Sequence, residues 1–211
     1  MIRALILVFI TVVGSSSGFA SEDRRSMSVD EMKVKVWNRF ASQLMELQKQ
    51  QIALVSTRTE SRRGGYQGEY FNEPDFYVEE SYYRQSDGKL VSRIKREKDK
   101  PQNVHVLEVY IYDTEGRVSR DYLVAYLPWG RNAPIQALVN LHAYNEGLHS
   151  FRQFDASGER VYEHCSGIFD GKDVQISLES HEMAPPRIGK NDYRQCFAKT
   201  PLSAADYLPP Q

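Results

Sequence analysis

Five histidines and two cysteines are the residues of this chain with the most chemistry to offer. His105, His142, His149, His164 and His181 have the side chain that carries protons near neutral pH and ligates zinc or copper. Their spacing follows no metal-site pattern. His142 and His149 flank the end of one predicted element, and pairing of the following strands would bring His149 and His164 together with Glu163 nearby. Scattered, hydrogen-bonded histidines are the expectation, with no metal ligand assigned. Cys165 directly follows His164, but adjacent residues of a strand point to opposite faces, so this imidazole cannot serve the thiol as a base. Beyond residue 20 the sequence has no Gly-x-Ser-x-Gly, no His-Glu-x-x-His and no phosphate-cradling Gly-x-x-x-x-Gly-Lys-Ser/Thr. No catalytic residue and no cofactor is predicted.

Trp129, Arg131 and Asn132 form a second group. They lie on a turn between two rigid elements, where recognition surfaces commonly sit, and they offer a large aromatic and a guanidinium. The alternative is structural, with Trp129 packed on a sheet and Arg131 paired with a carboxylate. Arg84, Lys89, Arg93, Lys95, Arg96, Lys98 and Lys100 cluster in one hairpin, interleaved with Glu79, Glu80, Asp87, Glu97 and Asp99. A turn at Asp87-Gly88 places Glu80 opposite Lys95, so cross-strand charge pairing on a wet face is expected there.

The elements that must position these groups follow from the pattern of the chain. Arg3 precedes an uncharged apolar run at residues 4–13 and a small-residue segment ending at Ala20, so residues 1–20 read as a cleaved signal peptide with Gly18 and Ala20 at its −3 and −1 positions. Residues 21–27 are then a short linker. No later stretch reaches the roughly 18 apolar residues of a membrane helix, and no Asn-x-Ser/Thr occurs, which points to the periplasm. That compartment is oxidising and makes a Cys165–Cys196 disulfide the default. With 27 Lys plus Arg against 28 Asp plus Glu in 211 residues, the net charge of −1 removes the basic footprint of nucleic-acid binding.

Ser28 and Glu31 form a capping box that opens a long helix. Met32, Val36, Phe40, Leu44, Leu47 and Leu54 make its apolar stripe, with Lys33, Arg39, Glu46 and Lys49 toward water. Residues 57–65 read as a loop. Period-two alternation then predicts strands at residues 77–84, 89–97, 104–112, 117–127, 148–154, 159–165 and 173–179. Residues 133–144 read as a helix, capped by Asn132 with Pro134 in its first turn, although their apolar density also permits a buried strand. The tail at 184–211 reads as irregular and tied by Cys196, leaving a single domain over residues 28–183.

Tyr112-Asp113-Thr-Glu-Gly116 and Phe154-Asp155-Ala-Ser-Gly158 share an aromatic, an Asp and a Gly at fixed offsets and resemble the hairpins of YD-type and MORN-type β repeats. The predicted fold is α+β, a long N-terminal helix and a second short helix on a curved antiparallel β-meander. A helix followed by a strongly curved sheet is similar to the periplasmic lipoprotein carriers, which implies a half-barrel carrier of a lipid or other amphiphile as the alternative function. Such a carrier needs an apolar concavity, lined here by Leu107, Val109, Ile111, Leu123 and Phe151. The leading expectation is a non-enzymatic periplasmic protein that binds an envelope protein or small ligand through its sheet and the loop of Trp129, Arg131 and Asn132.

Overall fold

The computed structural model of the chain describes residues 31–68, 71–129 and 131–210. The predicted signal peptide, the linker and Ser28 of the predicted capping box lie outside the described residues. Helix α1 (Glu31–Leu54) leads into nine strands: β1 (Thr57–Gly68), β2 (Phe71–Arg84), β3 (Leu90–Glu97), β4 (Val104–Tyr112), β5 (Val118–Ala125), β6 (Gln136–Asn145), β7 (Leu148–Asp155), β8 (Arg160–Phe169) and β9 (Lys172–Glu179). The strands lie side by side in chain order, each antiparallel to its neighbours, in one curved, unclosed sheet. The α+β meander expected from the sequence is the fold observed.

The turns show why the order is so regular. Gly116 and Gly158 both adopt positive φ, 80° and 86°, a conformation that glycine reaches without a Cβ clash. In each turn the Gly N–H returns to the carbonyl of the Asp three residues earlier, Asp113 at 3.0 Å and Asp155 at 2.9 Å. The Asp side chain then accepts from the backbone two and four residues on. The two copies of the motif are therefore one hairpin recipe used twice.

Helix α1 lies on one face of the sheet and buries Trp37, Phe40, Ala41, Leu44, Leu47 and Gln48. They meet Ile94, Leu107, Val109, Tyr122, Val124, Val139 and Leu141 from β3 to β6, and the Phe40 and Tyr122 rings approach to 6.1 Å between centroids. Met32 and Leu54, at the two ends of the predicted stripe, stand in solvent at 70% and 82% exposure. The apolar seam is confined to the middle of the helix and takes in Trp37 and Ala41 as well.

Residues 133–144 are not helical. Gln136–Asn145 is the interior strand β6, with Ala137, Val139, Leu141 and Ala143 buried toward α1. β5 and β7 supply its hydrogen-bond partners on both sides, and this tertiary pairing outweighs the local helix signals. The short helices lie instead in the tail, α2 (Pro185–Ile188) and α3 (Asn191–Cys196). Residues 57–65, read as a loop, belong to β1, a polar edge strand whose charged residues need no buried face.

The tail crosses back over the same face as α1. Cys196 is bonded to Cys165 of β8 with their Cα atoms 5.9 Å apart, as expected, and Tyr193, Phe197, Leu148 and Leu178 pack around the bridge. Ala204, Tyr207 and Leu208 reach the main core beside α1. Among the described residues no helix is long and apolar enough to cross a membrane.

Candidate functional site

Among the described residues, α1 and the tail cover one face of the sheet and leave the opposite face open. Strand alternation decides what it carries. Cross-strand partners give a row Tyr110, Asp121, Asn140, Gln153, Tyr162 and, beside it, the row His142, Phe151, His164, Ser177. Tyr144 faces His149 on β7, and His149 faces Ser166 on β8. The result is a stripe of flat rings over β6 to β8. Phe151 lies 5.3 Å from His142, 5.6 Å from His164 and 5.8 Å from Tyr162.

Two of these histidines are wired to a carboxylate. His142 Nε2 lies 2.7 Å from Asp121 Oδ2, and His142 Nδ1 lies 2.9 Å from His149 Nε2. The two imidazole planes differ by 6° with centroids 5.2 Å apart, the separation of rings meeting head-on through their nitrogens. The contact is thus an in-plane N–H···N bond. Asn140 Nδ2 donates to the other oxygen of Asp121 at 2.8 Å, and Gln153 Nε2 donates to Asn140 Oδ1 at 2.9 Å, which fixes the carboxylate from the side. The Tyr144 ring lies 4.7 Å from that of His149 and nearly parallel to it, while Arg117 sits 4.4 Å from the Tyr144 centroid. Burial lowers the pKa of His149, and the charges of His142 and His164 lower it further.

Strand pairing was expected to bring His149 and His164 together; the register instead sets His149 opposite Ser166 and His164 opposite Phe151, the bonded pair is His142 and His149, and Asp121 was missed. It becomes legible once residues 136–145 are read as a strand, because Asp121 then occupies the same face of the adjoining strand. His164 bonds Ser177 Oγ at 3.0 Å through Nδ1, and Cys165, on the opposite face, is fully buried. Glu163 also lies on the covered face, fully buried beneath the tail and away from His149. Among the described residues no three His, Cys, Asp or Glu side chains are grouped to hold a metal ion.

The loop singled out in the sequence has a different character. Arg131 Nη1 donates to the Val104 carbonyl at 2.8 Å and Nη2 pairs with Glu97. Asn132 accepts at its carbonyl from Asn38 of α1 at 2.7 Å, and Arg131 also lines a cleft of about 280 Å³ with Ala41, Ser42, Met45 and Asn103. Trp129 is 40% exposed and edge-on to Tyr66, which in turn meets Phe76 and His105.

The basic hairpin is paired, but one residue away from expectation. The turn is not centred on Asp87-Gly88 but closes with Arg84 donating to the Lys89 carbonyl; a register shift between Tyr82 and Tyr83 recovers part of the offset, and Glu79, not Glu80, stands opposite Lys95. Glu79 receives Arg62 at 2.6 Å and Lys95 at 3.2 Å. Burial alone would raise the Glu79 carboxyl, and these hydrogen bonds outweigh it and hold the group below the usual carboxylate range. Of the five residues that would line a carrier's concavity, Leu107, Val109 and Ile111 pack with α1 and the main core, whereas Leu123 and Phe151 belong to the open face.

No protein-family model, curated protein or solved structure matches the chain.

Proposed function

We propose that the chain is an exported, non-enzymatic binding protein that takes a small planar ligand on the open face of β6 to β8. The observation that carries this reading is the ring stripe of Tyr144, His149, Phe151, Tyr162 and His164, gathered from three adjacent strands on the face that α1 leaves uncovered. Aromatic rings in this setting offer stacking area at low entropic cost, and the polar groups beside them fix orientation. Periplasmic location is supported by the N-terminal leader pattern and is consistent with the Cys165–Cys196 bridge. Trp129, in its own ring cluster with Tyr66 and His105, is the second contact surface; Arg131 and Asn132 hold the loop that presents it.

The test is native mass spectrometry of the protein recovered from its own host's envelope without refolding. A stoichiometric added mass of small-molecule size is expected, lost on Phe151→Ser and Tyr162→Ser. A clean apo mass with a co-purifying protein would instead establish an envelope-protein partner, and a lipid-sized mass a carrier.

A further inference from the structure

We infer that Asp121, His142 and His149 form a proton-accepting site for a weak aromatic acid, a phenol-type hydroxyl that binds at His149 Nδ1 and hands its proton inward. The inference rests on the ring-stripe reading above and names the ligand chemistry of that face.

Hydrogen-bond bookkeeping leads to it. A neutral imidazole has one N–H and one acceptor nitrogen. His142 Nε2 faces the Asp121 carboxylate, which only accepts, so the proton of neutral His142 sits on Nε2 and its Nδ1 is an acceptor. His149 Nε2, 2.9 Å away, must then donate. That leaves His149 Nδ1 as an acceptor, and among the described residues it bonds no protein group and is not buried.

The outer nitrogen of the chain therefore asks for a donor. A carboxylic acid has already lost its proton at neutral pH and brings none, whereas a phenol still carries one. The rings of Tyr144, Phe151 and His164 around the pair supply a flat apolar setting for the aryl group.

The proton step balances within the site. The ligand O–H bond breaks as an N–H bond forms at His149 Nδ1; the His149 Nε2 proton passes to His142 Nδ1; His142 becomes an imidazolium against Asp121. The charge comes to rest at His142, 2.7 Å from a carboxylate, because burial and the neighbouring His142 and His164 disfavour it on His149. The other titratable and charged groups facing the pair are Tyr144 with Arg117 over its ring, Asp113 bonded to Arg117, and Tyr162 with His164 on β8. After the transfer His149 Nδ1–H is a donor to the phenolate, so one proton inverts the polarity of the outer nitrogen.

The probe is 4-nitrophenol, whose anion has its own absorption band, added to the full exported chain one pH unit below the probe's own pKa. Bound probe should show a phenolate-to-phenol ratio at least about tenfold above that of free probe. 4-Nitroanisole, the same ring without the proton, should bind at least about tenfold more weakly. His149→Gln should return the bound ratio to the free value, and Asp121→Asn should keep binding while losing most of the anion. Binding of the phenol in its neutral form, equal binding of the anisole, or no binding would each overturn the inference. Phenol bound without ionisation leaves the ring-stripe reading standing, which separates the two failures. The anisole comparison needs no variant and holds even where a substitution impairs folding.

Discussion

Arg152 Nε lies 2.6 Å from Glu163 Oε1 across β7 and β8, and neither side chain exceeds 3% exposure. Glu163 also accepts from Tyr193 at 2.8 Å and from Arg160 at 3.0 Å, while Arg152 reaches the carbonyls of Thr200 and Pro201. Phe197 lies 5.0 Å from the guanidinium. The ion pair thus fastens the tail to the sheet beside the disulfide. Breaking one side leaves the other charge buried and unpaired, so Glu163→Gln is expected to cost about 3 to 5 kcal/mol in urea unfolding. A loss below about 1 kcal/mol would mean that water reaches the pair.

The Cys165–Cys196 bridge spans 31 residues, and closing a loop of that size stabilises by about 3 to 4 kcal/mol in the chain-entropy picture. Intact mass of the oxidised protein should be two hydrogen atoms below that of the reduced chain. The Cys165→Ser/Cys196→Ser double variant should lower the urea midpoint and open the region after Cys196 to protease. An unchanged midpoint would place the tail's anchoring in the Arg152–Glu163 pair alone.

Leu44 is wholly buried in the seam between α1 and the sheet, where truncation leaves a cavity. Leu44→Ala should cost about 2 to 5 kcal/mol, whereas Leu54→Ala, at an exposed position, should stay within about 0.5 kcal/mol. Equal losses would contradict the central placement of the seam.

His105 and His149 both have pKa values lowered in the folded state. In His105 burial is the main cause, followed by the nearby charges of Arg131 and Lys95; in His149 burial leads, followed by His142 and His164. The unfolded chain therefore binds protons more readily than the folded one. Their contribution is present above the unfolded value near pH 6.5 and is lost as pH falls through the lowered folded values. Thermal melts should show Tm falling from pH 7 to pH 5, with a shallower fall in His105→Gln. A flat Tm over that interval would refute the assignment.

Arg131 and Trp129 should separate under mutation. Arg131→Ala removes the partner of Glu97 and of the Val104 carbonyl and is expected to cost about 1 to 3 kcal/mol. Trp129→Ala should leave Tm within a few degrees. If the two behave alike in melts, the loop is held by something other than the Arg131 pairing.

Much of the sheet was legible because its turns are chemically explicit. The Asp-x-x-Gly signals at 113–116 and 155–158 fixed two hairpins, and Asp87-Gly88 marked a third. Residues 136–145 misled because Val139 and Leu141 on one side alternate with Leu138, His142 and Tyr144 on the other, so both faces carry bulk and the period is blurred. β1 was silent for the opposite reason, having almost no apolar residue. The misreading of β6 carried a cost at the site: a helix separates His142 from Asp121, whereas the strand puts them on one face. Glu79 likewise became the shared acceptor of the basic hairpin through a turn that closes at Arg84 and Lys89 instead of centring on Asp87-Gly88, and a bulge that no spacing rule announces.

The strictly sequential order of the nine strands bears on how the chain assembles as it is made. Each new strand pairs only with the one before it, so a chain that emerges end-first meets every sheet partner within one hairpin's length and never holds an edge open for a distant segment. Helix α1 emerges ahead of the strands it covers and waits for β3 to β6. Cys165 waits for Cys196, which arrives only after β9 and at the end of the second short tail helix, so oxidation acts as the closing latch on a sheet already laid down.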